Sequence, residues 1–352
     1  MNSHEYYMTR CLELASKGLP GAMPNPSVGA VLVYKDKIIG EGFTSPYGGS
    51  HGEVNCINSV SKENQDHISK STLYVSLEPC SHFGKTPPCA DLIIKNKIPT
   101  VVIGCVDTFS EVAGKGIERL KNNGITVLTG VLEKECRELN KRFFTFHEKK
   151  RPYIVLKWAQ TKDEFIAPES IKHEQERWIT GSKTKQFVHQ LRANEMAILV
   201  GTNTVIMDDP SLTVREVSGK NPIRVVIDRE LKLWNQKEKY KVFDNESETL
   251  IINEKENFIS NSNEGVIVNF DKNLPSQLCE VLYQKGIQSL IVEGGTKTLQ
   301  SFINSNLWDE AFVFEGNKSF GSGVEAPKFN NTQYKELLVG EDKLSIFKND
   351  NI

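Results

Sequence analysis

One imidazole and two thiols that have to meet at a single point constrain this chain more than any other feature. The sequence reads His51-Gly52-Glu53, then Pro79-Cys80, then Cys89. A zinc ion in a hydrolytic site takes three protein ligands and keeps a fourth position open for water. His51, Cys80 and Cys89 supply that set, and zinc lowers the pKa of its water toward neutrality. Such chemistry needs a separate carboxylate to shuttle protons. Glu53 lies two residues from His51 on the same expected helical turn, so it can face the water without ligating. Cys89 follows Pro87-Pro88, and proline suits the first turn of a helix. A cysteine at a helix start is biased toward the thiolate by the backbone dipoles. Cys80 closes an expected strand-to-helix switch, where α/β proteins place ligands. Any one of these residues alone is compatible with a core side chain; together and in this order they specify a metal site.

The surrounding pattern is α/β. After an amphipathic N-terminal helix, apolar strand-like runs fall at residues 27–34, 38–43, 72–77, 100–105 and 125–128. Helical runs fall at 52–60, 89–96, 115–123 and 133–146, the third stopped by Gly124. Residues 147–152, HEKKRP, are short, charged and end in proline, which places a boundary between domains 1–147 and 148–352. A second alternation follows, with strands at 153–159, 196–201, 223–228, 249–252 and 288–292 and a helix at 183–194. Apart from 249–252, residues 231–269 read as polar surface loops and edge strands.

Composition narrows the function. The chain has 352 residues, 25% charged and 38% hydrophobic, with a formal net charge of −2. No basic run suits a nucleic-acid surface. No apolar stretch reaches the ~20 residues of a membrane span, and charges interrupt the N-terminal segment, which argues against a signal peptide. Seven cysteines without regular spacing imply a reducing, cytoplasmic location. Cys11, Cys56, Cys105 and Cys136 read as small buried residues.

The His-x-Glu…Pro-Cys…Cys order is the established signature of zinc-dependent nucleobase deaminases. Those enzymes usually have two residues between the cysteines; here there are eight, carrying His82, Gly84, Lys85, Thr86 and Pro87. Residues 79–91, PCSHFGKTPPCAD, closely resemble the riboflavin-biosynthesis deaminase family, and Asn25-Pro26-Ser27-Val28-Gly29 and Val112-Ala113-Gly114-Lys115-Gly116 look like two further motifs of it. The resemblance implies a cytidine-deaminase-like three-layer domain. It implies a diaminopyrimidinone substrate bearing a phosphoribosylamino group, whose C2 amine is replaced by oxygen. Asn25 would hold the pyrimidine and Lys85 would reach the phosphate; His82 would either close a loop or meet substrate. Thr44 stands where the family often has histidine, and Asp107-Thr108-Phe109-Ser110 where it often has Asp-Pro-Asn-Pro. These departures imply altered substrate contacts with the chemical core intact.

The second half has no Gly-x-Gly-x-x-Gly after a strand, which argues against a Rossmann site. Glu293-Gly294-Gly295-Thr296 instead ends a strand and opens a helix, a natural phosphate cradle. With Leu191-Arg192-Ala193, the 200–205 run VGTNTV and the 208–215 run DDPSLTVR, it resembles the reductase domain of the same family, a dihydrofolate-reductase-like α/β fold. That resemblance puts Ala159, Trp178, Thr204, Asp208, Gly295, Thr296, Lys297, Thr298, Leu299, Gln300 and Ser301 on NADPH. It puts Arg192, Leu212, Arg215 and Glu293 on the phosphoribosyl substrate. Two guanidinium forks suit a phosphate. The implied reaction is hydride delivery to ribose C1′, with Asp208 able to assist proton transfer. Glu164 replaces a glycine at a turn that calls for positive φ, and Glu176 stands where the family commonly has a substrate-side serine.

The expectation is therefore a bifunctional enzyme with one Zn2+ and NADPH, acting on a small phosphorylated pyrimidine, with no nucleic-acid or membrane partner and a homo-oligomeric state. Two other readings stay open: a deaminase joined to a degenerate binding domain, and a nucleic-acid-editing deaminase.

Overall fold

The computed structural model describes residues 3–81, 87–108, 114–170, 178–331 and 333–349. The expectations for His82, Lys85, Phe109 and Glu176 lie outside these residues. The chain divides into two compact units, Met1–Lys150 and Arg151–Ile352.

The first unit contains α1 (Ser3–Gly18), β1 (Gly29–Tyr34), β2 (Lys37–Phe43), α2 (Gly52–Asn58), β3 (Thr72–Leu77), α3 (Cys89–Lys95), β4 (Thr100–Cys105), α4 (Lys115–Asn122), β5 (Thr126–Thr129), α5 (Glu133–Leu139) and α6 (Lys141–Lys149). The sheet order is β2-β1-β3-β4-β5. β1 pairs antiparallel with β2 and β3, whereas β3, β4 and β5 run parallel. Helices cover both faces, as a three-layer domain requires. A Cβ on Gly29 would strike the Cys11 carbonyl of α1, whereas one on Gly42 would strike the Cys56 amide of α2. The core between the layers is apolar, with Met8, Leu32, Leu73, Ile93 and Ile103 fully buried.

The single helix expected over 133–146 is instead two. Asn140 takes φ −105°, ψ 27° and separates α5 from α6. Its side chain explains the break: Oδ1 accepts the Ser27 N–H at 2.8 Å and Nδ2 donates to the Ser27 carbonyl at 2.9 Å. A buried amide thus satisfies both backbone groups of a loop residue, which outweighs helix continuity there.

The second unit contains β6 (Tyr153–Gln160), β7 (Phe165–Pro168), α7 (Ser182–Asn194), β8 (Ala197–Val200), α8 (Thr202–Asp208), β9 (Ile223–Ile227), β10 (Thr249–Asn253), β11 (Phe258–Ser260), β12 (Asn263–Ile267), α9 (Leu274–Gln284), β13 (Ser289–Gly294), α10 (Thr296–Asn304), β14 (Glu310–Glu315), β15 (Gly323–Glu325), β16 (Gln333–Val339) and β17 (Asp342–Lys348). Its main sheet runs β11-β12-β10-β9-β8-β13-β6-β14-β17-β16, and β15 pairs with β7 separately. From β12 through β14 every pairing is parallel. Near-continuous apolar strands such as Ala197–Val200 fit a sheet buried on both faces. Arg151 closes the start of β6: its guanidinium is bidentate on Asp309 at 2.6 and 2.8 Å, and Asp309 Oδ2 also accepts the Ile154 N–H. The charged 147–152 segment is therefore partly a buried anchor, because a fully paired arginine tolerates burial.

Residues 231–269 hold more than the surface structure expected of them. β11 is an edge strand, but Leu231, Leu233, Val242 and Phe243 are buried. The Asp228 carboxylate accepts the N–H groups of Leu233 and Trp234 and folds this stretch back onto the core. Glu164 occupies φ 62°, the left-handed region expected of its turn.

Replacing Asn140 by alanine leaves both Ser27 backbone groups buried without partners. We expect destabilisation of the first unit by about 1–3 kcal/mol, read as a lower unfolding midpoint in urea, with the second unit's transition unchanged.

Candidate active sites in the two units

In the first unit the strands and helices bring the ligand set to one place. His51 is the N-cap residue of α2, held in an extended conformation with φ −71° and ψ 162°. A Cβ on Gly52 would collide with the Val28 carbonyl, so glycine is what lets α2 start against the entry to β1. Cys80 follows β3, and Cys89 is the first residue of α3. His51 Nδ1 lies 3.3 Å from Cys89 Sγ and 3.6 Å from Cys80 Sγ, and the Cys89 N–H donates to Cys80 Sγ at 3.3 Å. All three ligand atoms fall within 4.8 Å of one another.

The electrostatics of this cluster call for a cation. A hydrogen bond from Cys89, and then His51, bring the Cys80 thiol down to about 4. That same bond and burial push Cys89 well up. Glu53 is 2% exposed and its Oε2 has no hydrogen-bond partner. Burial first, and then the charge on Cys80, raise its carboxyl to about 7. Two thiolates and a carboxylate cannot all ionise in a desolvated space unless a positive charge sits among them. A divalent ion on an imidazole and two sulfurs fits this donor set, and it would draw Glu53 back down.

Around the cluster, Asn25 is half-buried in the loop that enters β1. That loop is pinned at Ser27 by Asn140 and at Val28 by Thr44, whose Oγ1 accepts the Val28 N–H at 2.9 Å. Thr44 is 4% exposed and engaged with backbone, so the departure at this position holds the loop in place. Sequence reasoning passed over Glu78. It is buried, and its carboxylate accepts backbone N–H groups from Asp107, Gly114, Gly116 and Ile117. Its position immediately before Pro79-Cys80 was the available signal.

In the second unit, the parallel arrangement delivers the ends of β6, β8 and β13 to one edge. Gly201 N–H donates to the Gly294 carbonyl at 3.0 Å, which sets the starts of α8 and α10 side by side. A Cβ on Gly295 would lie 3.5 Å from Thr204 Oγ1, and one on Gly201 would press on Thr298 Oγ1. Thr204, Gly295 and Thr298 therefore line one cradle. Ala159 stands near the end of β6, and Trp178 is 56% exposed. Along α10, Lys297 is exposed and Leu299 is buried in the core, so Leu299 can offer a ligand only its backbone. The Thr296 hydroxyl donates to the Glu325 carbonyl, the Ser301 hydroxyl to the Thr298 carbonyl, and the Gln300 amide to Asn304. Asp208 ends α8 with its side chain exposed.

The expected substrate residues form a chain of contacts. Arg192 is bidentate on Glu293, with Nε 2.7 Å from Oε1 and Nη2 2.8 Å from Oε2. Lys157 of β6, which sequence reasoning did not single out, meets Glu293 Oε2 at 3.2 Å. Burial would raise the Glu293 carboxyl, but Arg192 and Lys157 outweigh it and hold it well below the carboxylate range. The Arg192 fork is thus turned on a protein carboxylate, which leaves Arg215 as the exposed cation of the pair. Arg215 Nη1 donates to Thr213 Oγ1 at 2.7 Å, and its main-chain N–H donates to His189 Nδ1 at 3.1 Å. Leu212 is buried at φ 55°.

Comparison with known proteins assigns each unit to a family. Residues 1–105 match the cytidine and deoxycytidylate deaminase zinc-binding region, and residues 152–350 match the RibD C-terminal domain. The riboflavin biosynthesis protein RibD of Aquifex aeolicus is 39% identical over 97% of this chain and 97% of its own length. That of Escherichia coli is 33% identical over 96% and 97%. A solved diaminohydroxyphosphoribosylaminopyrimidine deaminase/5-amino-6-(5-phosphoribosylamino)uracil reductase of Thermotoga maritima superposes with a TM-score of 0.86 at 37% identity, covering 99% of each chain. Acinetobacter baumannii RibD gives 0.85 at 29% identity, covering 98% of each chain.

Fold and sites define a zinc-type deaminase unit followed by a reductase unit. The chain belongs to the RibD family of riboflavin biosynthesis proteins.

Burial, with Arg192 and Arg215 adding to it, lowers the His189 pKa to about 4. Unfolding restores an ordinary value of ~6.5. The unfolded chain therefore binds a proton that the folded chain refuses between those values. Stability of the second unit is fully present above pH ~6.5 and declines as pH falls toward ~4. We expect this slope to shrink in His189→Gln, measured as melting temperature against pH for both proteins.

Proposed function

We propose that this chain performs two consecutive steps of riboflavin biosynthesis. Residues 1–147 form the deaminase, which hydrolyses the 2-amino group of 2,5-diamino-6-(5-phosphoribosylamino)pyrimidin-4-one. Residues 148–352 form the reductase, which converts the ribosyl group of that product to ribityl and gives 5-amino-6-(5-phosphoribitylamino)uracil. The observation that carries this reading is the convergence of His51, Cys80 and Cys89 beside a buried, unpartnered Glu53 oxygen, in a chain whose other unit matches the RibD C-terminal domain. The deaminase/reductase activity for which the Thermotoga maritima relative is named supports it.

In the deaminase, His51, Cys80 and Cys89 would hold a zinc ion, which would supply Lewis-acid activation of the attacking water. Glu53 would carry a proton from the attacking water to the departing amine, which leaves as ammonia. Its burial suits this work, because a desolvated carboxyl gives and takes protons near neutral pH. Asn25 orients the pyrimidine, and Lys85 meets the phosphate end. In the reductase, NADPH supplies the hydride. The cofactor is held by Ala159, Trp178, Thr204, Asp208 and the 295–301 segment. Arg215 binds the substrate phosphate; Arg192, Leu212 and Glu293 shape the rest of that site, and Asp208 assists proton transfer.

No helix among the described residues is long and apolar enough to cross a membrane, and all seven cysteines are free thiols. Free thiols suit a reducing, cytoplasmic compartment, and the proposed enzyme is homo-oligomeric and acts on a small phosphorylated pyrimidine, without nucleic-acid or membrane partners.

The deciding experiment is a two-step assay. Ammonia should be released from the diaminopyrimidine nucleotide and from neither single-stranded DNA nor tRNA, and NADPH should be oxidised when the deaminated intermediate is supplied directly. Release from nucleic acid would identify an editing deaminase. Binding of the intermediate without NADPH turnover would reduce the second unit to a binding module.

Glu53→Gln should retain stoichiometric zinc and lose deamination by ~10²–10⁴-fold, whereas Cys80→Ser should lose zinc and deamination together; metal analysis alongside the ammonia assay separates them. Asp208→Asn should leave ammonia release at the wild-type rate and slow NADPH oxidation, followed at 340 nm on the same preparation.

A further inference from the structure

Glu78 is an ionisable side chain in the interior of the first unit, only 3% exposed, and the proposed chemistry does not use it. Its two oxygens are shared among four backbone donors. Oε2 accepts from Asp107 at 3.2 Å and Gly114 at 3.0 Å; Oε1 accepts from Gly116 at 2.9 Å and Ile117 at 3.2 Å. Its own N–H donates to the Cys105 carbonyl at 3.0 Å. One carboxylate therefore joins three stretches: the segment leaving β3 toward Cys80, the segment leaving β4, and the first turn of α4. Packing repeats the connection, since a Cβ on Gly116 would collide with the Pro79 carbonyl.

The connection reaches both sulfurs. Arg119 of α4 makes a 2.6 Å ion pair with Asp91, two residues beyond Cys89, and its Nη1 reaches the carbonyl of Ser81, the residue after Cys80. The position of α4 is set by Glu78, and α4 in turn grips the segments on which Cys80 and Cys89 stand. Only Pro79 separates Glu78 from Cys80, a reach of about 7 Å at full extension, so a shift at the carboxylate passes directly to the ligand. The same N–H groups at the start of α4 would otherwise form an anion site; with Glu78 on them, a substrate phosphate has no place there.

We propose that Glu78 is a positioning residue of the deaminase: it locks α4 to the Pro79–Cys80 segment and so fixes the separation of the two sulfur ligands. This rests on the zinc-deaminase reading of the site. An isosteric glutamine brings an NH2 group against backbone N–H donors, so two of the four bonds are lost and replaced by opposed donors.

The test is Glu78→Gln in the full chain. Zinc release to a chromogenic chelator should accelerate ~10–100-fold. The thiolate-to-metal charge-transfer band of the cobalt-substituted protein should shift or weaken. Deaminase kcat should fall by a comparable factor with KM little changed, because Glu78 does not touch substrate, and NADPH oxidation by the second unit of the same chain should stay at the wild-type rate. A residue that merely stabilised the unit would lower its melting temperature and leave zinc release and the cobalt band alone; that result overturns the proposal. If Glu78→Gln does not fold, Arg119→Met cuts the link from α4 to Ser81 and Asp91 at a half-exposed position. Faster zinc release there supports the proposal, and a wild-type release rate refutes it. Failure of the wild-type chain to bind zinc or release ammonia would instead defeat the underlying reading.

Discussion

A compact, mostly anionic donor set held away from water is the constraint on which the first unit depends. The two sulfurs lie within 4.8 Å of each other and of the His51 nitrogen, Cys89 and Glu53 are buried, and Cys80 and His51 are half-buried. Without a cation, burial raises the Glu53 carboxyl, and the hydrogen bond with Cys80 together with burial raises the Cys89 thiol. A divalent cation removes that conflict and leaves a carboxylate free to move protons. The architecture around the cluster serves to keep four groups from relaxing apart. Gly52 lets α2 begin against β1, the Cys89 amide binds Cys80, and Asn140 and Thr44 tie down the loop entering β1.

The second unit meets a related problem with a different balance of charge. The Glu293 side chain is also largely buried, yet its carboxyl is held well below the carboxylate range because Arg192 and Lys157 both pair with it. Burial decides the protonation of one carboxylate, and paired cations decide the other. Turning Arg192 inward pairs its charge with Glu293 and leaves Arg215 as the outward cation. His189, kept neutral by burial and by its cationic neighbours, accepts the Arg215 main-chain N–H.

Both sites occupy the carboxyl ends of parallel strands. In the first unit β3 and β4 run parallel and lead out to Glu78-Pro79-Cys80 and to Asp107. In the second, β6, β8 and β13 run parallel and lead out to the Ala159, Gly201 and Gly294-Gly295 regions. Parallel pairing aligns strand ends on one edge, where loops and helix starts from distant parts of the chain become neighbours. That is why residues as far apart as Lys157, Arg192 and Glu293 form one cluster.

What the amino-acid sequence determined by itself was local or carried by order. The ligand triad, Glu53, the apolar strands of both halves and the glycine pair at the start of α10 were legible because each depends on residue type, short spacing or a period that neighbours impose. The positive φ of Glu164 was legible for the same reason. The tertiary structure decided the rest. Nothing near Asn140 in the chain signals that its amide faces Ser27, so the break between α5 and α6 had no local cause. Glu78 looks like any glutamate beside a motif until the end of β4 and the start of α4 arrive around it. Whether Arg192 grips a phosphate or a protein carboxylate depends on which strand lies beside it, and Lys157 acquires its partner only through the β6–β13 pairing. Hydrogen bonds and ion pairs between distant segments form where the fold brings donor and acceptor together, and no sequence window contains both ends.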